Sequence, residues 1–414
     1  MIYDVIVVGG GPAGMTAAIE IKEAAPEAKI LLVDRNKKVG KKLYATGNGK
    51  CNIANTELNL SSYHSENEFF PYQIVGVESY RDVTGFFDEL GVVIMDDEGY
   101  LYPMSLQAST VVWALTDRLR IHNVALHMSE EVISVQQNEH SYSVITDKDT
   151  YETYSVIMAP GSAAAPKLGG TDRVYNILSK LGVPVITPHP ALCKLKSKCD
   201  ISLLTGVRVR ACAVLECNGE KYYREQGEIQ FNNNYLSGIA IFNLSIQCAK
   251  LIYDGCRPVI ELEYVPHMSE EKLHTYMTEF IAHNAGRRPE AMLNGLVNEK
   301  IGAYILQICN VNCTKVSEVS ERQITEIEKQ LKHMRFEITD TAGYEECQAA
   351  SGGIDTRCIR PDTMEIEGMP GLYIAGEYMD VVGKCGGYNI MWAVLSGMRA
   401  GFAAGKRIQD DQNK

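Results

Sequence analysis

The sequence predicts an α/β fold in which a discontinuous Rossmann-like domain is interrupted by a β-barrel-like insertion and a small helical one. Three observations lead there. Residues 5–8 read Val, Ile, Val, Val, a continuous β-branched run suited to a parallel strand buried on both faces. Gly9, Gly11 and Gly14 follow with G-x-G-x-x-G spacing where that strand should turn into a helix. Asp34 closes the next apolar run, 20 residues after Gly14.

Each part has a physical task. The first glycine makes the tight turn, the second lets a pyrophosphate approach the backbone, and the third lets helix pack on strand. The helix opening at Pro12 and Ala13 offers unpaired N–H groups and a positive dipole end to an anion. Asp34, followed by Arg35, is placed to accept both ribose hydroxyls of an adenosine. Strand, helix, strand and acid in this order indicate a bound dinucleotide, FAD or NAD. Lys37 to Asn55 then mixes three glycines with four asparagines or threonines. Lys42, Gly47, Gly49, Lys50, Cys51 and Asn52 are expected to form a backbone nest facing the diphosphate. A solvated basic loop is the alternative.

Helical spacing runs from Ser105 to Arg120. Four short alternating runs at 125–128, 132–136, 142–146 and 153–159 read as a β-meander. Val132 and Gly161, at the start of the second run and just past the fourth, are expected beside the cofactor. A helix is expected through 177–181. After residue 190 the pattern changes: 207–217 and 221–231 alternate around Asn218 and Gly219, a strong hairpin signal. Stretches 270–284, 290–297, 299–308 and 321–334 have helical spacing. The expected domains are 1–190 with 345–414 for the cofactor, 191–250 with 310–344 as the β-rich insertion, and 251–309 as the helical one.

The chain returns to the cofactor at Gly371. A short apolar strand ends at Gly376 and Glu377, and Gly386, Gly387, Tyr388 and Asn389 precede an apolar helix over 390–404. One βαβ unit covers only the ADP half of FAD, so a second glycine-rich segment favours noncovalent FAD over NAD. Glu377 suits a ribitol or ribose hydroxyl. The glycines at 386 and 387 are expected to let the helix N-terminus meet the N1/O2 edge of the flavin.

Gly9, Gly11 and Gly14, the Gly47 to Asn52 run, Gly99 to Pro103 with Ser105, Gly227 to Phe231 with Leu236 to Gly238, and Gly376 to Asn389 stand in an order that resembles the BaiN/YhiN-type flavoproteins. That group includes aminoacetone-oxidase-like enzymes, and the resemblance spans residues 1 to about 404. It implies one FAD, a discontinuous Rossmann-like domain, and an insert with a barrel-like and a helical piece. Three blocks depart from the family pattern: Ala159, Pro160 and Gly161 replace Thr-Gly-Gly, 171–175 replaces Gly-Asp-Gly-Tyr, and 99–103 lacks the family's arginine. The substrate is therefore expected to differ.

Net charge is −12, from 40 basic and 52 acidic residues, which counts against nucleic acid or an anionic membrane surface as partner. Twelve cysteines without a regular framework suggest reduced thiols and a cytoplasmic setting. No apolar run approaches the roughly 20 residues that span a bilayer. The N-terminus opens on a core strand, so no signal peptide is expected. Nine histidines lack ligand spacing, so no metal is expected. No second G-x-G-x-x-G follows a strand. NADH or NADPH is then a transient visitor, or oxygen reoxidises the flavin. Catalysis has only weak candidates in His189, Tyr388 and Cys385, with Tyr100 and Tyr102 as pocket residues. Reduction of an activated C=C or C=O bond is the leading expectation. An amine oxidase and a non-catalytic flavoprotein are the alternatives.

Overall fold

The computed structural model describes residues 2–412 and divides the chain into two compact units, residues 1–189 with 348–414 and residues 190–347. In the first unit, β1 (Ile2–Val8), α1 (Pro12–Ala24) and β2 (Ile30–Asp34) form the expected βαβ unit. Val5, Ile6 and Val7 are fully buried, as a β-branched central strand requires. Helix α2 (Ala108–Ile121) leads to β3 (Ala125–Met128), then β4 (Val132–Gln137), β5 (Tyr142–Thr146) and β6 (Thr150–Met158).

The sheet order is β3-β2-β1-β6-β5-β4. This corrects the four-strand meander. Only β4, β5 and β6 are antiparallel neighbours, whereas β3 pairs in parallel with β2 on the far side. Alternation in a short run reports one buried face and carries no information about the direction of the neighbour. Strand β6 changes role along its length: 150–153 pair with β5, while Glu152 onward runs parallel to β1.

The second unit closes a six-stranded barrel, β7 (Leu195–Ser197), β8 (Arg208–Cys217), β9 (Glu220–Asn232), β10 (Tyr235–Ser237), β11 (Val259–Glu263) and β12 (Met334–Thr341). Asn218 and Gly219 turn the β8–β9 hairpin with φ of 52° and 85°, both left-handed as a two-residue hairpin of this type needs. The helices α3 (Ile239–Tyr253), α4 (Glu270–His283), α5 (Glu299–Ile308) and α6 (Glu321–His333) share one apolar core with the barrel, including Phe231, Leu262, Met277, Ile305 and Phe336. The range 251–309 thus contains a barrel strand, β11, and the expected helix at 290–297 shortens to Glu290–Leu293.

The chain re-enters the first unit and adds β13 (Leu372–Ile374), parallel to the end of β6. The long helix α7 (Tyr388–Gln412) lies against α1 through Gly397, Gly401 and Gly405, so the two backbones approach closely. Among the described residues, no helix is long and apolar enough to cross a membrane.

Candidate cofactor and active site

Three distant stretches meet at the N-terminus of α1. Gly9 has φ of +106°, and a Cβ there would lie 2.1 Å from the Ala159 carbonyl oxygen at the end of β6. Only glycine allows both the left-handed turn and that approach. Gly376 sits against Ala13 of α1, with its N–H donated to Ser396 Oγ at 2.9 Å and its carbonyl accepting Trp392 Nε1–H at 3.1 Å. The loop after β2 joins through Gly40 N–H to the Gly10 carbonyl at 2.7 Å.

A cleft of about 300 Å³ opens beside Gly9 and Asp34, with Arg35, Glu131, Val132 and Arg173 on its walls. Buried Glu130 supports it, accepting the hydroxyls of Thr146 at 2.7 Å and Tyr151 at 2.9 Å. Asp34 is less free than expected: Oδ2 accepts Gly10 N–H and Oδ1 accepts Asn36 N–H, both at 2.6 Å. A carboxylate has about four acceptor positions, so two ribose hydroxyls remain within its capacity.

The pyrophosphate position passes a direct test of fit. A Cβ on Gly11, at the mouth of α1, would meet nothing within 4 Å, and the same holds at Gly49 and Gly161. Gly14, by contrast, is filled by the Gly9 carbonyl. At the other end of the cradle, buried Asn52 Oδ1 has no hydrogen-bond partner. An orphaned acceptor costs free energy unless a ligand donor meets it, and the imide N–H of a flavin is such a donor. These residues fit FAD.

The C-terminal segment makes close contacts within the protein. A Cβ on Gly387 would lie 2.5 Å from the Ala54 carbonyl oxygen, and one on Gly386 would lie 2.8 Å from the Tyr100 ring. Each glycine therefore admits a close protein neighbour on the side where a Cβ would project. Tyr388 donates its hydroxyl to the Glu57 carbonyl at 2.5 Å. The Asn389 amide closes a loop by pairing both Gly383 backbone groups, at 2.9 and 2.8 Å. Glu377, expected to hold a cofactor hydroxyl, pairs with Lys42 at 2.6 Å and accepts Ser162 Oγ–H at 2.8 Å.

The catalytic candidates scatter. His189 is half-buried in the strand Val185–Ala191. Cys385 is half-buried near Tyr100. Cys51 is buried, and burial pushes its thiol up to about 11, so it stays protonated at neutral pH. Lys50 is exposed. Tyr100 and Tyr102 are half-buried beside Gly386 and Gly47, and burial raises both phenols above their ordinary value. Asp380 is a further buried carboxyl in this unit. It accepts the N–H groups of Glu66 at 2.7 Å and Gly352 at 3.1 Å, and burial raises its carboxyl. Nothing in its neighbouring sequence marks it. Among the described residues, no group of three His, Cys, Asp or Glu side chains could hold a metal ion.

The model of the HI0933-like protein Rossmann domain matches residues 3–403. A 3-dehydro-bile acid delta(4,6)-reductase from Clostridium scindens is 29% identical over 403 residues, 97% of this chain and 98% of that protein. A ribosomal RNA dihydrouridine synthase from Escherichia coli is 25% identical, over 94% of this chain and 95% of its own. Among solved structures, an open flavocytochrome c3 fumarate reductase has a TM-score of 0.51 at 15% identity, covering 98% of this chain and 78% of its own. The 3-ketosteroid delta1-dehydrogenase of Sterolibacterium denitrificans also has 0.51, at 12% identity, covering 98% and 100%. These two likenesses establish the shared fold.

Proposed function

The chain belongs to the HI0933-like Rossmann-domain family and is an FAD-dependent oxidoreductase; from that premise we propose that it saturates a carbon–carbon double bond conjugated to a carbonyl, in a small organic molecule, with NADH or NADPH as electron donor. The observation that carries the choice of bond is the chemistry common to the two relatives' names. A 3-dehydro bile acid with delta(4,6) unsaturation is a conjugated enone, and dihydrouridine is uridine with a carbonyl-conjugated C=C saturated. The net charge of −12 favours a small molecule over a polyanion, and the proposed partners include neither nucleic acid nor membrane.

When bound, FAD supplies the two-electron carrier between nicotinamide and substrate. The chain's own groups hold and orient it. The α1 N-terminus and Gly11 would take the pyrophosphate, Asp34 and the cleft of Arg35 and Val132 would take the adenosine, and Asn52 Oδ1 would be free to accept a donor from the flavin. The carbon next to the substrate carbonyl must gain a proton. Tyr100 is the proposed donor: its phenol stays protonated at neutral pH, and its ring flanks Gly386 in the segment that closes the cradle. Tyr388 is unsuited, since its hydroxyl is committed to Glu57.

The test incubates the purified flavoprotein anaerobically with NADH or NADPH and a panel of conjugated enones. The reading requires a product two hydrogens heavier than the substrate. Inert enones, together with primary amines converted to carbonyl products and peroxide in air, would replace the reductase with an amine oxidase.

A further inference from the structure

Twelve cysteines are free, and the cofactor reading uses none of their sulfurs. Two of them stand apart because they are neighbours in space. Cys217 closes β8, and Cys256 lies in the turn between α3 and β11. Strands β8 and β11 are antiparallel neighbours, with Glu216 opposite Val259, so the end of one strand meets the approach to the other. The Cys217 and Cys256 side chains are close enough to interact. The Cys217 sulfur also meets the backbone N–H groups of Asn218 and Arg257. Cys217 is 1% exposed, whereas Cys256 is half-exposed.

We propose that Cys217 and Cys256 are a reversible dithiol–disulfide couple on the barrel, oxidised by hydroperoxides. Exposure assigns the order of events, since an oxidant reaches Cys256 first. The Cys256 thiolate attacks a peroxide oxygen; the O–O bond breaks, giving a sulfenic acid and, after proton uptake, one water. The Cys217 sulfur then attacks the Cys256 sulfur, the S–O bond breaks, and the hydroxyl leaves with the Cys217 proton as a second water. Two thiols and one hydrogen peroxide become one disulfide and two waters, with two electrons passing from sulfur to oxygen. The backbone N–H groups at Asn218 and Arg257 favour negative charge on Cys217 as it attacks, opposing the cost of its burial. Reduction by a dithiol reverses the sequence. The bond would tie the end of β8 to the approach of β11 at one rim of the barrel.

The experiment uses the flavin-loaded protein, reduced, treated with stoichiometric hydrogen peroxide, then denatured in alkylating reagent for peptide mapping. The proposal requires loss of two of the twelve thiols, a Cys217–Cys256 cross-linked peptide pair, and recovery of both thiols with dithiothreitol. In Cys217→Ser, Cys256 should accumulate as a dimedone-reactive sulfenic acid without a cross-link. In Cys256→Ser, Cys217 should stay reduced. Unchanged flavin content in both variants confirms that they fold. Full alkylation of Cys217 and Cys256 after peroxide, or a cross-link between any other pair, overturns the proposal.

Discussion

Lys42 Nζ and Glu377 Oε2 lie 2.6 Å apart although 335 residues separate them in the chain. The pair fastens the loop after β2 to the segment after β13, the two ends of the discontinuous cofactor domain. Both side chains are only partly exposed, at 33% and 18%, so the pair is better shielded than a surface ion pair. Glu377 also accepts from Ser162 Oγ–H and from Ala350 N–H at 3.1 Å.

Glu377→Ala should therefore cost about 2–3 kcal/mol of stability, because it strands an ammonium, a hydroxyl and an N–H together. Lys42→Met should cost less, since Glu377 keeps two donors. Urea unfolding of the three proteins checks the ranking. Equal midpoints would show that the pair contributes nothing to closing the domain.

Gly11 and Gly14 should separate binding from folding. Gly11→Val adds a side chain into open space at ordinary backbone angles, so the apoprotein should keep its unfolding midpoint while losing FAD. Gly14→Val drives a Cβ to within 1.9 Å of the Gly9 carbonyl oxygen and should destabilise the fold itself. Flavin content and thermal unfolding, measured on both variants, read the two effects independently.

Asp34→Ala should weaken FAD by about 1–3 kcal/mol, which is roughly 5- to 150-fold in Kd. Part of that loss comes from Gly10 and Asn36, whose N–H groups lose their acceptor and with it the shape of the turn. Titration of apoprotein with FAD measures it. An unchanged Kd would place the adenosine outside the Asp34 cleft.

Much of this site is legible in the sequence, and the limits have physical causes. The βαβ unit is local: β-branched run, glycine spacing and acid all act within 34 residues. The Asn218–Gly219 hairpin is equally local. The cleft walls at Glu130, Glu131 and Arg173 are not, because they reach Asp34 only through the parallel pairing of β3 with β2 and the return of β6 beside β1. Barrel closure by Leu195 opposite Thr341 is similarly long-range. At Gly387 a glycine needed for ligand approach and one needed beside a neighbouring carbonyl, here that of Ala54, look identical in sequence.

Acidity should also matter to stability through Glu20 on α1. Burial, with Glu23 and Glu89 nearby, pushes its carboxyl from the ordinary 4.5 up to about 7. Between those values the folded chain holds a proton that the unfolded chain has released. The contribution is therefore full below about pH 4.5 and is lost as pH rises to about 7. Glu20→Gln should remove that slope and add about 1–2 kcal/mol at pH 8, after allowance for solvent screening of this half-buried group. Unfolding free energies across pH 5–8, a range of about three units, check the sign. Parallel curves for the two proteins would contradict it.

Tyr100→Phe should keep FAD and its reduction by nicotinamide while slowing substrate reduction by about 10²- to 10⁴-fold, the usual range for a lost general acid. A loss confined to flavin reduction would assign Tyr100 to donor binding instead.

The most direct test of the central claim is an anaerobic titration of the flavin spectrum in two halves. The account predicts that NADH or NADPH bleaches the yellow protein, and that a conjugated enone, added without oxygen, restores the colour in proportion to product formed. Bleaching by primary amines but not by nicotinamide, with colour restored only by dioxygen, would contradict it.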